Sequence, residues 1–147
     1  MLKAAQYDLL NRQLAALLEG ECDPIAKMAN VAAVLRESFG FWWTGFYRVA
    51  GNELILGPFQ GPVACMHIPF GKGVCGTAWA RGETVVVPDV EAFPGHIACS
   101  SASRSEIVVP VFGPDGSVTA VLDIDSDRLA TFDEEDKVGL EKIVRLL

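Results

Sequence analysis

The spacing of apolar residues changes twice along this chain, and that change constrains the fold more than any other feature of the sequence. From Tyr7 to Leu18 leucines recur at helical intervals, and Gly20 follows as a helix-ending residue. Asp23 and Pro24 then supply an N-cap and a first helical residue, and the helical spacing continues until Gly40. Two helices are therefore predicted to open the chain.

After the second helix the pattern becomes that of short β-strands separated by turn residues. Aromatic and β-branched runs are bounded by turn pairs such as Gly51-Asn52. Residues 57–62 are rich in glycine and proline and predict a loop, and residues 71–81 predict a glycine-rich turn that enters a short helix. The predicted strands are Trp43 to Val49, Leu54 to Leu56, Val63 to Ile68 (which carries Cys65), Thr84 to Val87, Glu106 to Phe112 and Ser117 to Asp125.

The last segment returns to a helical pattern. Thr131, followed by Glu134, forms a capping-box sequence, and a helix is predicted from there to Leu147. The chain has 147 residues, half of them apolar, which is enough for one core without metal or disulfide staples. Helices on both sides of a run of strands favour a single α+β domain, residues 1–147, with a mainly antiparallel sheet.

Charge and targeting signals narrow the classes of function. The net charge of −7 disfavours binding to nucleic acid or to an anionic membrane surface. No basic stretch followed by an apolar segment opens the chain, and no apolar run could span a bilayer, so a cytoplasmic location is expected. Thiols stay reduced in that compartment. The four cysteines are therefore expected to be catalytic, metal-binding or inert.

Cys99 is the first candidate nucleophile. It lies in an irregular stretch, residues 89–104, where free backbone N–H groups could stabilise a thiolate, and His96 is close enough in sequence to assist. The alternative is a small buried apolar residue. Cys65 and Cys75 lie in apolar surroundings and are either core residues or a second thiol that condenses with an oxidised Cys99. Cys22 is expected to be inert.

A zinc site would be another use of these cysteines and the two histidines. The sequence contains no Cys-x-x-Cys pair, and His96-x-x-Cys99 alone is a weak pattern. The spacing therefore predicts no metal site.

Three carboxylates stand in unusual places. Asp123 and Asp125 end a strongly apolar strand and point to the same face, since side chains alternate along a strand. Glu106 opens the preceding strand, within reach across the hairpin. Clustered carboxylates raise one another's pKa, so one could act as a proton donor near neutral pH. The alternative is a polar strand end that faces water.

Trp43 and Tyr47 lie four residues apart on the first predicted strand, and so share one face. Such a pair either packs in the core or forms an aromatic wall of a pocket.

Six short stretches carry a resemblance, and they run in order over nearly the whole chain. They are Trp43-Thr44-Gly45-Phe46-Tyr47, Leu56-Gly57-Pro58-Phe59-Gln60-Gly61, Gly71-Lys72-Gly73-Val74-Cys75-Gly76-Thr77-Ala78, Gly95-His96-Ile97-Ala98-Cys99, Ser105-Glu106-Ile107-Val108-Val109-Pro110 and Val121-Leu122-Asp123-Ile124-Asp125-Ser126. With these stretches the chain resembles the free methionine-(R)-sulfoxide reductases, which are built on a GAF-type domain. The resemblance implies a sheet of about six antiparallel strands with the N- and C-terminal helices packed on it.

The resemblance also implies roles for single residues. Cys99 takes the place of the attacking cysteine, Cys65 that of the resolving cysteine, and Cys75 that of an auxiliary or alternative thiol. Glu106, Asp123 and Asp125 match the pocket carboxylates of the family, and Trp43 and Tyr47 match its aromatic substrate contacts. Ser100 departs from the pattern, because relatives often carry an acid there.

These matches imply reduction of free L-methionine (R)-S-oxide to L-methionine by thiol chemistry. Cys99 would become a sulfenic acid, form a disulfide with Cys65 and be recycled by a thioredoxin-type reductant, with no metal or organic cofactor. A homodimer is compatible with this expectation. The alternatives are a GAF module that binds a small ligand without catalysis, and a thiol redox sensor.

Overall fold

A computed structural model of the protein describes residues 1–97, 99 and 102–147. Its elements are α1 (Lys3–Leu18), α2 (Pro24–Phe39), β1 (Trp43–Ala50), β2 (Glu53–Gln60), β3 (His67–Pro69), α3 (Gly73–Arg81), β4 (Val85–Val87), a 3-10 turn (Val90–Ala92), β5 (Ser105–Phe112), β6 (Val118–Ser126) and α4 (Glu134–Val144). The strands form one antiparallel sheet in the order β3-β2-β1-β6-β5-β4. The predicted α+β class, the six-stranded antiparallel sheet and the flanking helices are confirmed.

Side-chain alternation along the central strands gives the sheet two buried faces. On one face Phe46, Ile107 and Leu122 pack with apolar residues of α1, α2 and α4. On the other face Val108 and Val121 pack in a second cluster with the apolar side of α3. The second face carries the candidate site residues on β1, β5 and β6. None of the described helices is long and apolar enough to cross a membrane.

The start of α2 follows the prediction. The Asp23 carboxylate accepts hydrogen bonds from the backbone N–H groups of Ile25 and Ala26, at 2.8 and 3.2 Å. Pro24 stands at the first helical position, and Gly40 ends the helix with a left-handed φ of 68°, a conformation that favours glycine.

The predicted loop over residues 57–62 is wrong, because β2 continues through Gln60. Tyr47 pairs with Leu56 and Gly45 with Phe59, so two residues of β2 stand opposite one residue of β1. This bulge accommodates Pro58 in the strand, since a bulge does not require every ladder hydrogen bond.

The predicted strand from Val63 to Ile68 is also wrong for most of its length. Only His67–Pro69 forms β3, which pairs with the start of β2. Cys65 therefore lies before the strand, in an irregular segment that spans residues 61–66. Side chains of β1 donate hydrogen bonds to the backbone of that segment.

The ends of α1 and α4 differ from the predictions as well. Helix α1 begins at Lys3, and α4 ends at Val144. The capping box of α4 is formed by Asp133 and Asp136 instead of Thr131 and Glu134. The Thr131 hydroxyl is used elsewhere, because it lies 2.6 Å from the Ser126 hydroxyl.

Candidate functional site

A disulfide joins Cys65 and Cys99, as the resemblance implies. The two Cα atoms lie 5.4 Å apart, although the residues are 34 positions apart in sequence. Both cysteines lie in irregular segments and are partly exposed, so neither is sealed in the core. The backbone N–H of Cys99 donates to the carbonyl of Ile97 at 3.1 Å, and is therefore not free to stabilise its own thiolate.

Cys75 lies in the first half of α3 and is buried with its thiol against a carboxylate. Its Sγ atom is 4.0 Å from Oε2 of Glu106. Burial raises the pKa of the Cys75 thiol, and the neighbouring carboxylates raise it further. Cys75 is therefore a neutral thiol at pH 7. Cys22 is exposed and unpaired.

Glu106, Asp123 and Asp125 converge on one face of the sheet, as their alternation predicts. Glu106 on β5 pairs directly with Asp125 on β6, and Asp123 lies two residues before Asp125 on β6. Only 6% of Glu106 and 5% of Asp123 are exposed, which is rare for carboxylates. Among the described residues, the Oδ1 atom of Asp123 has no hydrogen-bond partner.

Burial is the largest cause of a raised pKa in all three carboxyls. For Glu106 the neighbouring charges of Asp123 and Asp125 raise the pKa further, and for Asp125 the charge of Asp123 does so. For Asp123 hydrogen bonds from Glu106 and Cys75 act in the opposite direction. The cluster can therefore hold a proton near neutral pH, which is the property of a general acid.

Trp43 and Tyr47 share this face, and their rings stack with centroids 6.0 Å apart. Trp43 is the cross-strand neighbour of Asp125, so an aromatic wall stands beside the carboxylates. The polar group of each ring donates a hydrogen bond to a backbone carbonyl. Trp43 Nε1 donates to the carbonyl of Pro62, and the Tyr47 hydroxyl donates to the carbonyl of Cys65, both at 2.9 Å.

A cavity of about 50 Å³ lies where these groups meet. Of the eight residues for which the resemblance implies a role, all except Cys65 line this cavity, together with His96 and the first turn of α3. The lining candidates are Trp43, Tyr47, Cys75, Cys99, Glu106, Asp123 and Asp125. Burial lowers the pKa of His96, so its neutral ring can exchange a proton but brings no positive charge to a thiolate.

One group of potential metal ligands occurs among the described residues. A sulfur of Cys75 and carboxylate oxygens of Glu106 and Asp123 lie within 4.8 Å of one another. Sequence spacing could not reveal this group, because its members come from α3, β5 and β6. The same residues line the cavity, so a cation there would compete with any other ligand of the carboxylates.

Several residues of the site were missed by the sequence analysis. Ser103 lines the cavity and its hydroxyl lies 3.5 Å from Oδ1 of Asp125. It stands in a serine-rich stretch in which no pattern distinguishes one serine from another. Phe59 stacks on Trp43 with ring centroids 5.2 Å apart, although the sequence predicts a loop at this position. Ser100, which departs from the family pattern, lies outside the described residues.

Comparison with known proteins gives a family for this arrangement. Residues 27–147 match the GAF domain family. The chain is 46% identical to the free methionine-R-sulfoxide reductase of Escherichia coli, an alignment that covers 100% of this chain and 89% of the relative. It is 44% identical to the enzyme of the same name from Saccharomyces cerevisiae, over 89% of this chain and 77% of the relative.

A solved structure agrees with these matches. The X-ray structure of the free methionine-R-sulfoxide reductase of Neisseria meningitidis in complex with its substrate superimposes with a TM-score of 0.96 and 55% identity, over 99% of this chain and 88% of that chain. The chain therefore belongs to the GAF domain family and, within it, to the free methionine-R-sulfoxide reductases.

Proposed function

We propose that this protein reduces free L-methionine (R)-S-oxide to L-methionine, with Cys99 as the attacking nucleophile. One observation carries the proposal. Cys99 lies at a cavity lined by three carboxyls and is joined to a second cysteine from another segment. The enzymes from Escherichia coli and Saccharomyces cerevisiae that carry this activity in their names support the choice of substrate.

In the first step the Cys99 thiolate attacks the sulfoxide sulfur. A proton from the cluster of Glu106, Asp123 and Asp125 goes to the sulfoxide oxygen, whose bond to the substrate sulfur breaks. General-acid help of this kind contributes about 10²–10⁴-fold to a rate. The hydroxyl so formed passes to the Cys99 sulfur while the transient bond between the two sulfurs breaks, so methionine leaves with its sulfur reduced and Cys99 is left as a sulfenic acid.

In the second step the Cys65 thiol attacks the sulfenic sulfur of Cys99. A disulfide forms and the oxygen leaves as water. A thioredoxin-type dithiol then reduces this disulfide by exchange. Val63 and Met66 flank Cys65 with exposed fractions of 89% and 67%, which gives such a reductant an open, apolar approach to the sulfur.

The cavity favours a free amino acid over a methionine within a peptide. The carboxylates that do not donate the proton would pair with the α-ammonium group, and the N–H groups of the first turn of α3, which a helix leaves unbonded, would bind the α-carboxylate. Trp43 and Tyr47 would contact the apolar end of the substrate. With the disulfide closed, the cavity measures about 50 Å³, which is room for a few water molecules.

The assay is reduction of racemic free methionine sulfoxide by the purified protein with dithiothreitol, with methionine measured by chromatography. Half of the racemate should be consumed, and a peptide that contains methionine sulfoxide should not react. A non-catalytic binding module would bind the amino acid without turnover. A redox sensor would form the Cys65–Cys99 disulfide with peroxide and yield no methionine.

The remaining expectations belong to the same proposal. Residues 1–147 would act as one domain in the cytoplasm, with thioredoxin as reductant and with a homodimer as an allowed state. Turnover with purified thioredoxin, thioredoxin reductase and NADPH, cell fractionation and analytical ultracentrifugation would test the partner, the location and the oligomeric state in turn.

A further inference from the structure

The segment that carries Cys65 is held in place by two aromatic side chains of the cavity wall. This Cys65 segment, residues 61–66, has no regular secondary structure. Its Val63 and Met66 side chains are largely exposed, so apolar burial does not fix their positions. One end is tied to the sheet by the backbone, where the N–H of Leu56 donates to the carbonyl of Met66 at 2.9 Å.

The other two ties come from β1. The indole N–H of Trp43 donates to the carbonyl of Pro62, and the hydroxyl of Tyr47 donates to the carbonyl of Cys65 itself. Trp43 and Tyr47 are 3% and 2% exposed, so both donors come from side chains that are packed in the core. The second of these bonds fixes the peptide carbonyl of the cysteine whose sulfur must reach Cys99.

Gly61 shows how closely the segment follows the indole ring. A Cβ atom at this position would lie 2.6 Å from Cδ1 of Trp43 and 3.1 Å from the carbonyl oxygen of Trp42. The φ angle of Gly61 is 142°, a conformation that side-chain-bearing residues rarely adopt. Glycine therefore allows the chain to turn against Trp43 and bring the carbonyl of Pro62 to the indole nitrogen.

We infer that Trp43 and Tyr47 are positioning residues for Cys65, in addition to forming the aromatic wall, and that their polar ends set the rate at which the disulfide with Cys99 closes. The inference rests on the proposed function. In the step concerned, the S–O bond of the Cys99 sulfenic acid breaks, the bond between the two sulfurs forms, the Cys65 thiol is oxidised, and the oxygen leaves as water. A held segment raises the effective concentration of Cys65 at Cys99.

The test removes one oxygen atom. Tyr47→Phe keeps the ring and loses the hydroxyl that binds the carbonyl of Cys65. Reduced protein is mixed with one equivalent of free methionine sulfoxide, and methionine, dimedone-trapped sulfenic acid and disulfide are followed by rapid quench and mass spectrometry. Loss of one buried hydrogen bond predicts that the ratio of the disulfide-forming rate to the methionine-forming rate falls about 5- to 30-fold. Sulfenic acid at Cys99 should accumulate.

The ratio of the disulfide-forming rate to the methionine-forming rate separates an effect of Tyr47→Phe on Cys65 from any effect of the aromatic wall on the substrate. Tyr7→Phe is the matched control, because Tyr7 is the other tyrosine of the chain and its hydroxyl donates to Asp136 at 2.7 Å, away from the site. This control should keep the wild-type ratio. Gly61→Ala is a second variant that displaces the Cys65 segment itself, and it should lower the ratio as Tyr47→Phe does.

A wild-type ratio in both Tyr47→Phe and Gly61→Ala would overturn the inference, and so would an equal fall in Tyr7→Phe. Failure of the proposed function gives a different result, because the wild-type protein would then form no methionine. In that case hydrogen peroxide, which oxidises the Cys99 thiolate to the sulfenic acid, starts the same closing step without the amino acid. Slower closing in Tyr47→Phe would still support the inference, and equal closing would overturn it.

Discussion

The carboxyl cluster predicts an unusual effect of replacing Glu106 by glutamine. This substitution keeps the size of the side chain and its capacity for hydrogen bonds, and removes the acidic proton. Because the neighbours of Glu106 are two further carboxyls, we expect Glu106→Gln to slow methionine sulfoxide reduction and to make the folded protein more stable at pH 8.

The magnitude follows from the geometry. The Glu106 and Asp123 oxygens lie within 4.8 Å of each other, and two unit charges at that distance repel by about 3 kcal/mol at an effective dielectric constant of about 20. The cluster avoids part of this repulsion by keeping a proton. Replacement of buried charged groups by neutral ones often stabilises a protein, and here we expect about 1–3 kcal/mol, or a rise in Tm of about 3–10 °C.

The extra stability of Glu106→Gln over the wild-type protein should increase as the pH rises. The pKa of Glu106 is raised in the folded state above its ordinary value of 4.5, so the folded protein binds more protons than the unfolded chain above that pH. Stability of the wild-type protein is therefore lost as the pH rises from about 4.5 through the raised pKa. Glu106→Gln lacks this loss, so its advantage should be small at pH 5 and larger at pH 8.

The assay is urea unfolding, with the disulfide intact, of wild type and Glu106→Gln at pH 5 and pH 8. Glu37→Gln is the matched control, because Glu37 is exposed on α2. Exposed substitutions usually change stability by less than about 0.5 kcal/mol, so the control should follow wild type at both values. An advantage of Glu106→Gln that is equal at pH 5 and pH 8, or a loss of stability that grows with pH, would refute the reasoning.

Two further predictions concern the second cysteine and the last helix. Cys65→Ser should still form about one methionine per protein, because attack by Cys99 does not need Cys65, but it should lose thioredoxin-linked turnover. Rapid-quench and NADPH-coupled assays would measure the two activities. Full thioredoxin-coupled turnover by Cys65→Ser would contradict the prediction. Asp133→Ala should destabilise the fold by about 0.5–2 kcal/mol, because Asp133 accepts hydrogen bonds from the N–H groups of Glu135 and Asp136 at the start of α4. An unchanged midpoint of thermal unfolding would contradict this prediction.

Much of the fold could be predicted from the sequence because local signals and tertiary contacts agree. The Asp23-Pro24 start of α2 is an example, since its capping bonds lie within the same few residues. The end of β2 could not be predicted, because Gly57 and Pro58 indicate a turn and only the neighbouring strand shows that they form a bulge.

Part of the candidate site could likewise be predicted from the sequence, and part could not. Alternation along β6 correctly places Asp123 and Asp125 on one face, and the pairing of β5 with β6 brings Glu106 beside them. The hydrogen bonds from Trp43 and Tyr47 to the Cys65 segment join parts of the chain about twenty residues apart through backbone carbonyls, which carry no sequence signal. Such contacts become visible only in three dimensions.

The central claim is that the sulfur of Cys99 takes the oxygen from free methionine sulfoxide, and one comparison tests it most directly. Wild type, Cys99→Ser and Cys22→Ser are reduced and incubated with a limiting amount of free methionine (R)-S-oxide, and methionine is measured. Wild type and Cys22→Ser should form methionine at the same rate, and Cys99→Ser should form none above the rate of reductant alone. Methionine formation by Cys99→Ser at the wild-type rate would contradict the claim.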